Sequence, residues 1–293
     1  MADRAWAGTT FGTGWMHRWL IAVLRWMDIR LLYAFASVFV VPVCLVLNAS
    51  RVTAYRYFRH RHGFGRLKSA WKTYTNHCLF GQVVIDRFAM YAGKKFNIEV
   101  EGFEHFQRLS QAEDAFLQLS SHVGNYELAG YTLLSDDKQF NALVYFGEKS
   151  TVMENRDKLF VDNHIHMIPV TQDMSHVFEM NRVLQNGEIL SMPADRFFGS
   201  EKSISLPFLG KEARFPLGPF SVATARGINV ITVHVMKSSL KGYKVYVTPL
   251  DYDKQAPRRE QERQLAAAFV NELERILKMY PAQWYNYYEF WQS

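Results

Sequence analysis

From about residue 95 onward, short runs rich in β-branched and aromatic residues alternate with helical stripes, and few architectures other than a layered α/β domain accept that alternation. Phe96 to Val100, Ala115 to Leu119 and Asn141 to Tyr145 read as strands, followed by Glu188 to Met192, Val230 to Val235 and Tyr243 to Thr248. Between them Ser175 to Gln185 is helical, and Gly187 stands where a helix is closed by a left-handed residue. The last long helix is predicted from Arg258 to Tyr280, because Leu265, Phe269, Leu273, Ile276 and Tyr280 fall on one stripe before Pro281 stops it.

The N-terminal part obeys a different pattern. Leu31 to Leu47 carries no charge, contains Pro42 and is flanked by Arg18, Arg25, Arg30 and Arg51. A run of this length reaches the lower limit for crossing a bilayer, so a membrane anchor is expected here, spanning or re-entrant with a kink at Pro42; a buried core helix is the alternative. A cationic and aromatic stretch follows, from Arg51 through Arg56, Arg59, Arg61, Arg66 and Lys68 to Lys72. Beside an apolar helix this composition points to anionic lipid head groups. No helix-turn-helix, zinc-finger or RNA-recognition pattern accompanies it, so nucleic acid is not an expected partner. One further helix is expected from Asn76 to Tyr91. These observations divide the chain into 1–94, anchor and basic amphipathic helices, and 95–293, an α/β domain.

The net charge of +6 favours anionic partners: a membrane surface, a phosphorylated lipid, an acidic carrier protein or, with no motif to support it, nucleic acid. Two cysteines, Cys44 and Cys78, make neither a disulfide framework nor a zinc site. Asp162, His164 and His166 alternate as strand residues do, but without a third strong ligand and supporting shell they do not make a zinc site.

The candidate chemistry lies in His122-Val-Gly-Asn-Tyr-Glu127, directly after the strand Ala115 to Leu119. A neutral imidazole takes a proton from an attacking hydroxyl or amine, and a carboxylate fixes its tautomer and balances the imidazolium. On a regular helix the two side chains would stand about 140° apart, so they meet only if the segment between them is not helical. Gly124 and Asn125 tolerate such a break, and Asn125 is placed to cap a helix starting near Tyr126. By itself the segment reads more readily as a plain strand-to-helix loop. The chain contains no Gly-x-Ser-x-Gly nucleophile elbow, which argues against a serine hydrolase.

Four segments in order resemble the lysophospholipid acyltransferase superfamily, and within it the lipid A biosynthesis (lauroyl/myristoyl) acyltransferase branch. His122 to Glu127 resembles that family's histidine–four–acid block. His166-Met-Ile-Pro-Val170 resembles the second block and Leu190 to Gly199 the third. Pro207 to Gly210, Ala213, Gly218 and Val222 to Gly227 echo the later run, with Val230 to Val235 as its strand and Pro281 to Trp284 as its ending. The chain departs from the family at Phe146-Gly147-Glu148, where an arginine is usual, and at Arg196, where a glutamine commonly follows the aspartate.

The resemblance implies a layered sheet with flanking helices, as in glycerol-3-phosphate acyltransferases, plus an N-terminal membrane-anchoring helix. It implies transfer of an acyl chain from an acyl-carrier-protein or acyl-CoA thioester to a lipid A precursor, or to a related glycolipid or amino-acid lipid, with no metal or nucleotide cofactor. His122 and Glu127 are then the base and its orienting acid. Asn125, Asp195, Arg196, Gly199 and Arg214 are substrate-side residues, with Asp195 and Arg196 at the mouth of the site and Arg214 either a phosphate contact or one half of a surface ion pair. Backbone N–H groups near Gly124 or in the third block are candidates for the oxyanion, and Phe197, Phe198 and Phe208 line an acyl groove or belong to the core. The implied location is a bacterial inner membrane, with the active domain on its cytoplasmic face. Two alternatives stand beside this: a lysophospholipid acyltransferase of glycerolipid synthesis, and a non-catalytic, membrane-attached lipid-binding protein of the same fold.

Overall fold

The computed structural model describes residues 14–145, 165–171, 173–197 and 202–291. Five helical elements come first: α1 (Gly14–Trp26), α2 (Ile29–Phe35), α3 (Val41–Leu47), α4 (Ser50–His60) and α5 (Arg66–Tyr91), with a π-helical turn at Ala36–Val40 between α2 and α3. The π turn has a physical cause in Pro42, which lacks an N–H and whose ring crowds the carbonyl four residues back; a widened turn just before it relieves both. Ile29 to Leu47 is thereby a 19-residue helix of mean hydropathy 2.2 with 17% of its window buried, long and apolar enough to cross a membrane. Leu31, Phe35, Val38, Phe39, Val43, Val46 and Leu47 point out of the protein. Its few inward residues, Ile29 and Tyr33 among them, pack with Leu24 of α1 and with Phe88 and Ala89 of α5.

The α/β part follows as β1 (Asn97–Glu101), α6 (Phe103–Gln111), β2 (Phe116–Ser120), α7 (Ala129–Thr132), β3 (Phe140–Tyr145) and β4 (Ile165–Val170). It continues with α8 (Ser175–Gln185), β5 (Ile189–Pro193), β6 (Ser203–Phe208), β7 (Lys211–Pro216), α9 (Gly218–Arg226), β8 (Asn229–Ser239), β9 (Gly242–Leu250) and α10 (Arg258–Met279). Seven strands form one sheet in the order β1-β9-β8-β2-β5-β3-β4. The five from β8 to β4 are mutually parallel, and β9 turns antiparallel to β8 and carries β1 parallel to itself.

Side-chain alternation sorts each strand onto two faces. Leu117, Leu119, Leu190, Met192 and Val230 enter one core with Leu265, Phe269, Leu273 and Ile276 of α10. Phe116, Ile189, Ile231, Val233 and Val245 enter the other with Phe106 of α6 and Leu128. The stripe read from the sequence of α10 is therefore the face that covers the sheet. Tyr57 and Phe58 of α4 belong to the same core as α10, so the basic helix is packed onto the α/β layer rather than held apart from it. The hairpin β6–β7 was not anticipated from the sequence: Pro207 to Gly210 lies at the end of β6 and in its turn, where Leu209 has φ +48° and Gly210 +78°.

Candidate active site

The central strand β2 delivers His122 beyond its carboxyl end, and β5 runs parallel beside it with Ser120 opposite Pro193. The pairing continues one step past the strands, where the Ala194 N–H donates to the Ser120 carbonyl at 2.9 Å. Two residues past the paired positions stand His122 and Asp195. His122 Nδ1 lies 2.8 Å from Asp195 Oδ1, and the His122 backbone N–H donates to Asp195 Oδ2 at 2.9 Å. One carboxylate thus holds both the ring and the backbone of the histidine.

Asp195 is 2% exposed, which corrects the expectation that it stands at the mouth of the site. Burial raises its carboxyl, but the His122 charge and hydrogen bonds, together with the Arg196 charge, outweigh that and hold it below the usual carboxylate value. An ionised carboxylate only accepts hydrogen bonds, so Nδ1 carries a proton, and whenever the ring holds no second proton Nε2 is the acceptor. The ring of Tyr126 packs against the imidazole with centroids 5.2 Å apart.

Glu127 occupies a different place from the one expected. It lies in the 3₁₀ turn Tyr126–Leu128, and its Oε2 is 2.8 Å from Arg87 Nε of α5. The acid at the Nδ1 position of His122 is Asp195, so the pairing of His122 with Glu127 is corrected. The cause is the chain path: after Gly124 the backbone turns into a helical segment that faces Glu127 towards α5. Both members of the Arg87–Glu127 pair are largely buried, with side-chain exposures of 16% and 4%.

The loop between them is pinned from two sides. Gly124 has φ +62°, and a Cβ there would stand 2.0 Å from the Val235 carbonyl oxygen of β8, so no larger residue fits without a shift. Its N–H donates to the Gln283 carbonyl and that of Asn125 to the Val235 carbonyl, both at 2.8 Å. These two N–H groups are spent on structure, which removes the Gly124 amide from the expected oxyanion donors. Asn125 stands at the head of the 3₁₀ turn without a side-chain capping bond; it is buried, and its Nδ2 donates to the Tyr243 hydroxyl at 3.4 Å.

A buried polar cluster lies beyond Tyr243. The Tyr243 and Tyr33 hydroxyls both donate to Asp86 of α5, and Lys237 Nζ of β8 is 2.6 Å from Asp86 Oδ2 and 3.1 Å from the Tyr33 hydroxyl. Through these contacts the apolar helix is tied to β9 and to β8, the strand against which the site loop is pinned. Sequence reading missed Asp86 and Lys237, because Lys237 lies past the predicted end of its strand and a lysine inside a strand gives no sign that it is buried.

Beneath the site, Ser121 Oγ is 3.1 Å from His234 Nδ1, and His234 Nε2 is 3.2 Å from Thr232 Oγ1. Burial pushes His234 down to about 4. Arg196 follows Asp195 and donates to the Tyr285 carbonyl at 3.2 Å, with its guanidinium 5.7 Å from the Tyr288 ring. Arg214 is an exposed residue of β7; its Nε donates to Ser203 Oγ at 3.0 Å and its guanidinium is 5.8 Å from the Phe197 ring. Phe208 is core, and Phe197 is partly exposed. Gly199, Phe198, Asp162, His164 and the Phe146-Gly147-Glu148 segment lie outside the described residues. Among the described residues no grouping of three His, Cys, Asp or Glu side chains is placed to hold a metal ion.

The chain is a member of the bacterial lipid A biosynthesis acyltransferase family, whose family model matches residues 87–293. Among solved structures it is similar to the 1-acyl-sn-glycerophosphate (LPA) acyltransferase PlsC from Thermotoga maritima, with 13% identity and a TM-score of 0.39 over 94% of this chain and 100% of that one. The search of curated proteins finds no match.

Proposed function

We propose that this acyltransferase is membrane-attached and moves a fatty acyl chain from an acyl-carrier-protein or coenzyme A thioester to a hydroxyl or amine of a lipid A precursor or a related glycolipid or amino-acid lipid. The observation that carries the reading is the double grip of Asp195 on His122 at the carboxyl edge of the sheet. His122 Nε2 takes the proton from the acceptor as its oxygen or nitrogen attacks the thioester carbon. The tetrahedral intermediate then expels the thiolate, which recovers that proton from Nε2, while Asp195 remains ionised and balances the imidazolium. Asp195 is the orienting acid in this scheme, and Glu127 fixes the loop through Arg87. No nucleophile on the chain is required, because the acceptor supplies it.

The exposed apolar helix Ile29 to Leu47 and the family's lipid chemistry support attachment to a membrane, with the inner membrane and its cytoplasmic face as the proposed location. Arg196 and Arg214 are proposed to meet the anionic acceptor. The test is an assay of the purified chain with thioester donors and a total bacterial lipid extract, read by mass spectrometry. A newly acylated lipid supports the proposal; free fatty acid alone indicates a hydrolase, and no turnover with either donor a binding protein.

A further inference from the structure

A cavity of about 220 Å³ opens at the head of the apolar helix, lined by Trp26, Asp28, Ile29, Lys94, Lys95, Phe96 and Lys241. Three lysines line it against one carboxylate, and that carboxylate accepts the Arg30 N–H at 2.9 Å. The lysines are carried on fixed backbone. Lys94 follows Gly93 at the end of α5, where its N–H donates to the Ala89 carbonyl and that of Gly93 to the Met90 carbonyl, both at 2.9 Å, which locks the helix terminus. Lys241 lies in the turn between β8 and β9, and its carbonyl accepts the Asn97 N–H at 2.8 Å. The cavity wall is therefore rich in cationic side chains, two of them carried on hydrogen-bonded backbone.

Its position narrows the occupant. Trp26 is 91% exposed and stands three residues before Ile29, where the membrane-length helix begins. A tryptophan and several lysines at the end of an apolar helix are the residues that settle at the head-group level of a bilayer. The turn carrying Lys241 also lies on the active edge of the sheet: β8 is parallel to β2, and its residue Val235 pairs with Gly124 of the site loop. Ser239 is four strand residues further, about 13 Å beyond that pairing. The Tyr33 hydroxyl, whose proton goes to Asp86, lies 3.2 Å from the Leu240 carbonyl oxygen, so the apolar helix reaches this same turn.

We propose that the cavity walled by Lys94, Lys95, Lys241 and Trp26 binds the phosphate head group of an anionic glycerophospholipid, holding the sheet edge that bears His122 against the membrane surface. The proposal rests on the part of the functional reading that places Ile29 to Leu47 in the bilayer, and it is independent of the acyl donor and acceptor. Calorimetric titration of the full chain in neutral detergent, with dihexanoyl-phosphatidylglycerol below its micellar concentration, tests it. Saturable binding is expected, at least tenfold tighter than that of dihexanoyl-phosphatidylcholine or inorganic phosphate, and weakened at least tenfold in the Lys94→Gln, Lys95→Gln, Lys241→Gln triple variant. Lys241→Arg, which keeps the charge, should bind as the wild type does. If the triple variant fails to fold, Lys241→Gln alone must weaken binding relative to Lys241→Arg.

Equal binding of the two lipids, or a triple variant that folds and binds unchanged, overturns the proposal. Inorganic phosphate binding as tightly as the lipid would make this a free-anion site and overturn it as well. Flotation with pure phosphatidylcholine vesicles separates the two layers of the argument. A chain that does not float removes membrane attachment and the proposal together; one that floats but does not prefer phosphatidylglycerol removes the proposal alone.

Discussion

Ser120 and Pro193 face each other at the carboxyl ends of two parallel strands, and this single register places His122 beside Asp195 two residues later. The strands are neighbours in the sheet although their residues are 73 apart in sequence. The dyad is thus built by sheet pairing, which is more rigid than a loop, and the carboxylate's second oxygen spends itself on the histidine's own backbone. The following outcomes are expected from this arrangement.

Glu127→Gln leaves the Arg87 guanidinium largely buried without its counter-charge. Loss of one partner of a buried pair costs on the order of 3–5 kcal/mol, so the urea midpoint should fall substantially. Replacing both residues, as in Arg87→Met with Glu127→Leu, should recover much of that loss. A midpoint shift in Glu127→Gln worth less than about 1 kcal/mol, the scale of an exposed pair, would show that the contact does not hold the loop.

Gly124→Ala and Gly210→Ala separate backbone strain from collision. Both glycines have positive φ, which costs an alanine about 1–2 kcal/mol. At Gly210 the space beyond is open, whereas at Gly124 the new methyl meets the Val235 carbonyl. Gly124→Ala should therefore be clearly the less stable of the two by thermal unfolding, and it should also lose activity because His122 is displaced. Equal stabilities would contradict the close approach of the site loop to β8.

His234 gives the fold an acid weakness with a defined window. Its folded value is about 4 against an ordinary 6.5, so the unfolded chain binds the extra proton between those pH values. Its contribution to stability is complete above about pH 6.5 and falls as the pH drops towards 4, by close to one proton, or about 1.4 kcal/mol per pH unit. His62, also buried to about 4, adds in the same window. Denaturant titrations between pH 7 and 4 should show His234→Gln with a shallower slope than the wild type; an identical slope would mean that the buried ring is not held neutral.

Much of the fold was readable from local pattern. The β-branched and aromatic runs became strands, the central ones buried on both faces, and the stripe on α10 became its buried face, because burial on one side of a helix imposes that period on the residues themselves. Ser175–Gln185 is a helix with the bounds its spacing predicted. What escaped was non-local. Which acid reaches His122 depends on β2 pairing with β5, and a six-residue motif containing an acid drew the assignment to the near carboxylate instead of the distant one. The available sign was that both segments end a strand and place a polar residue at the same offset, Ser120-Ser-His122 and Pro193-Ala-Asp195. The destination of Glu127 depended on where α5 packs, and the Asp86–Lys237 pair on a strand running four residues past the predicted end. Neither leaves a mark in local periodicity.

The most direct test is the rate of acyl transfer by folded Asp195→Asn, measured beside His122→Ala and Glu127→Gln and corrected for the fraction folded. An amide in place of the carboxylate keeps the shape but loses the charge that fixes the tautomer and balances the imidazolium. The expected result is a loss in kcat on the order of 10²–10⁴ for Asp195→Asn, approaching that of His122→Ala, with Glu127→Gln losing much less per folded molecule. Asp195→Asn turning over within about tenfold of the wild type while Glu127→Gln is inactive would return the orienting role to Glu127 and contradict the account.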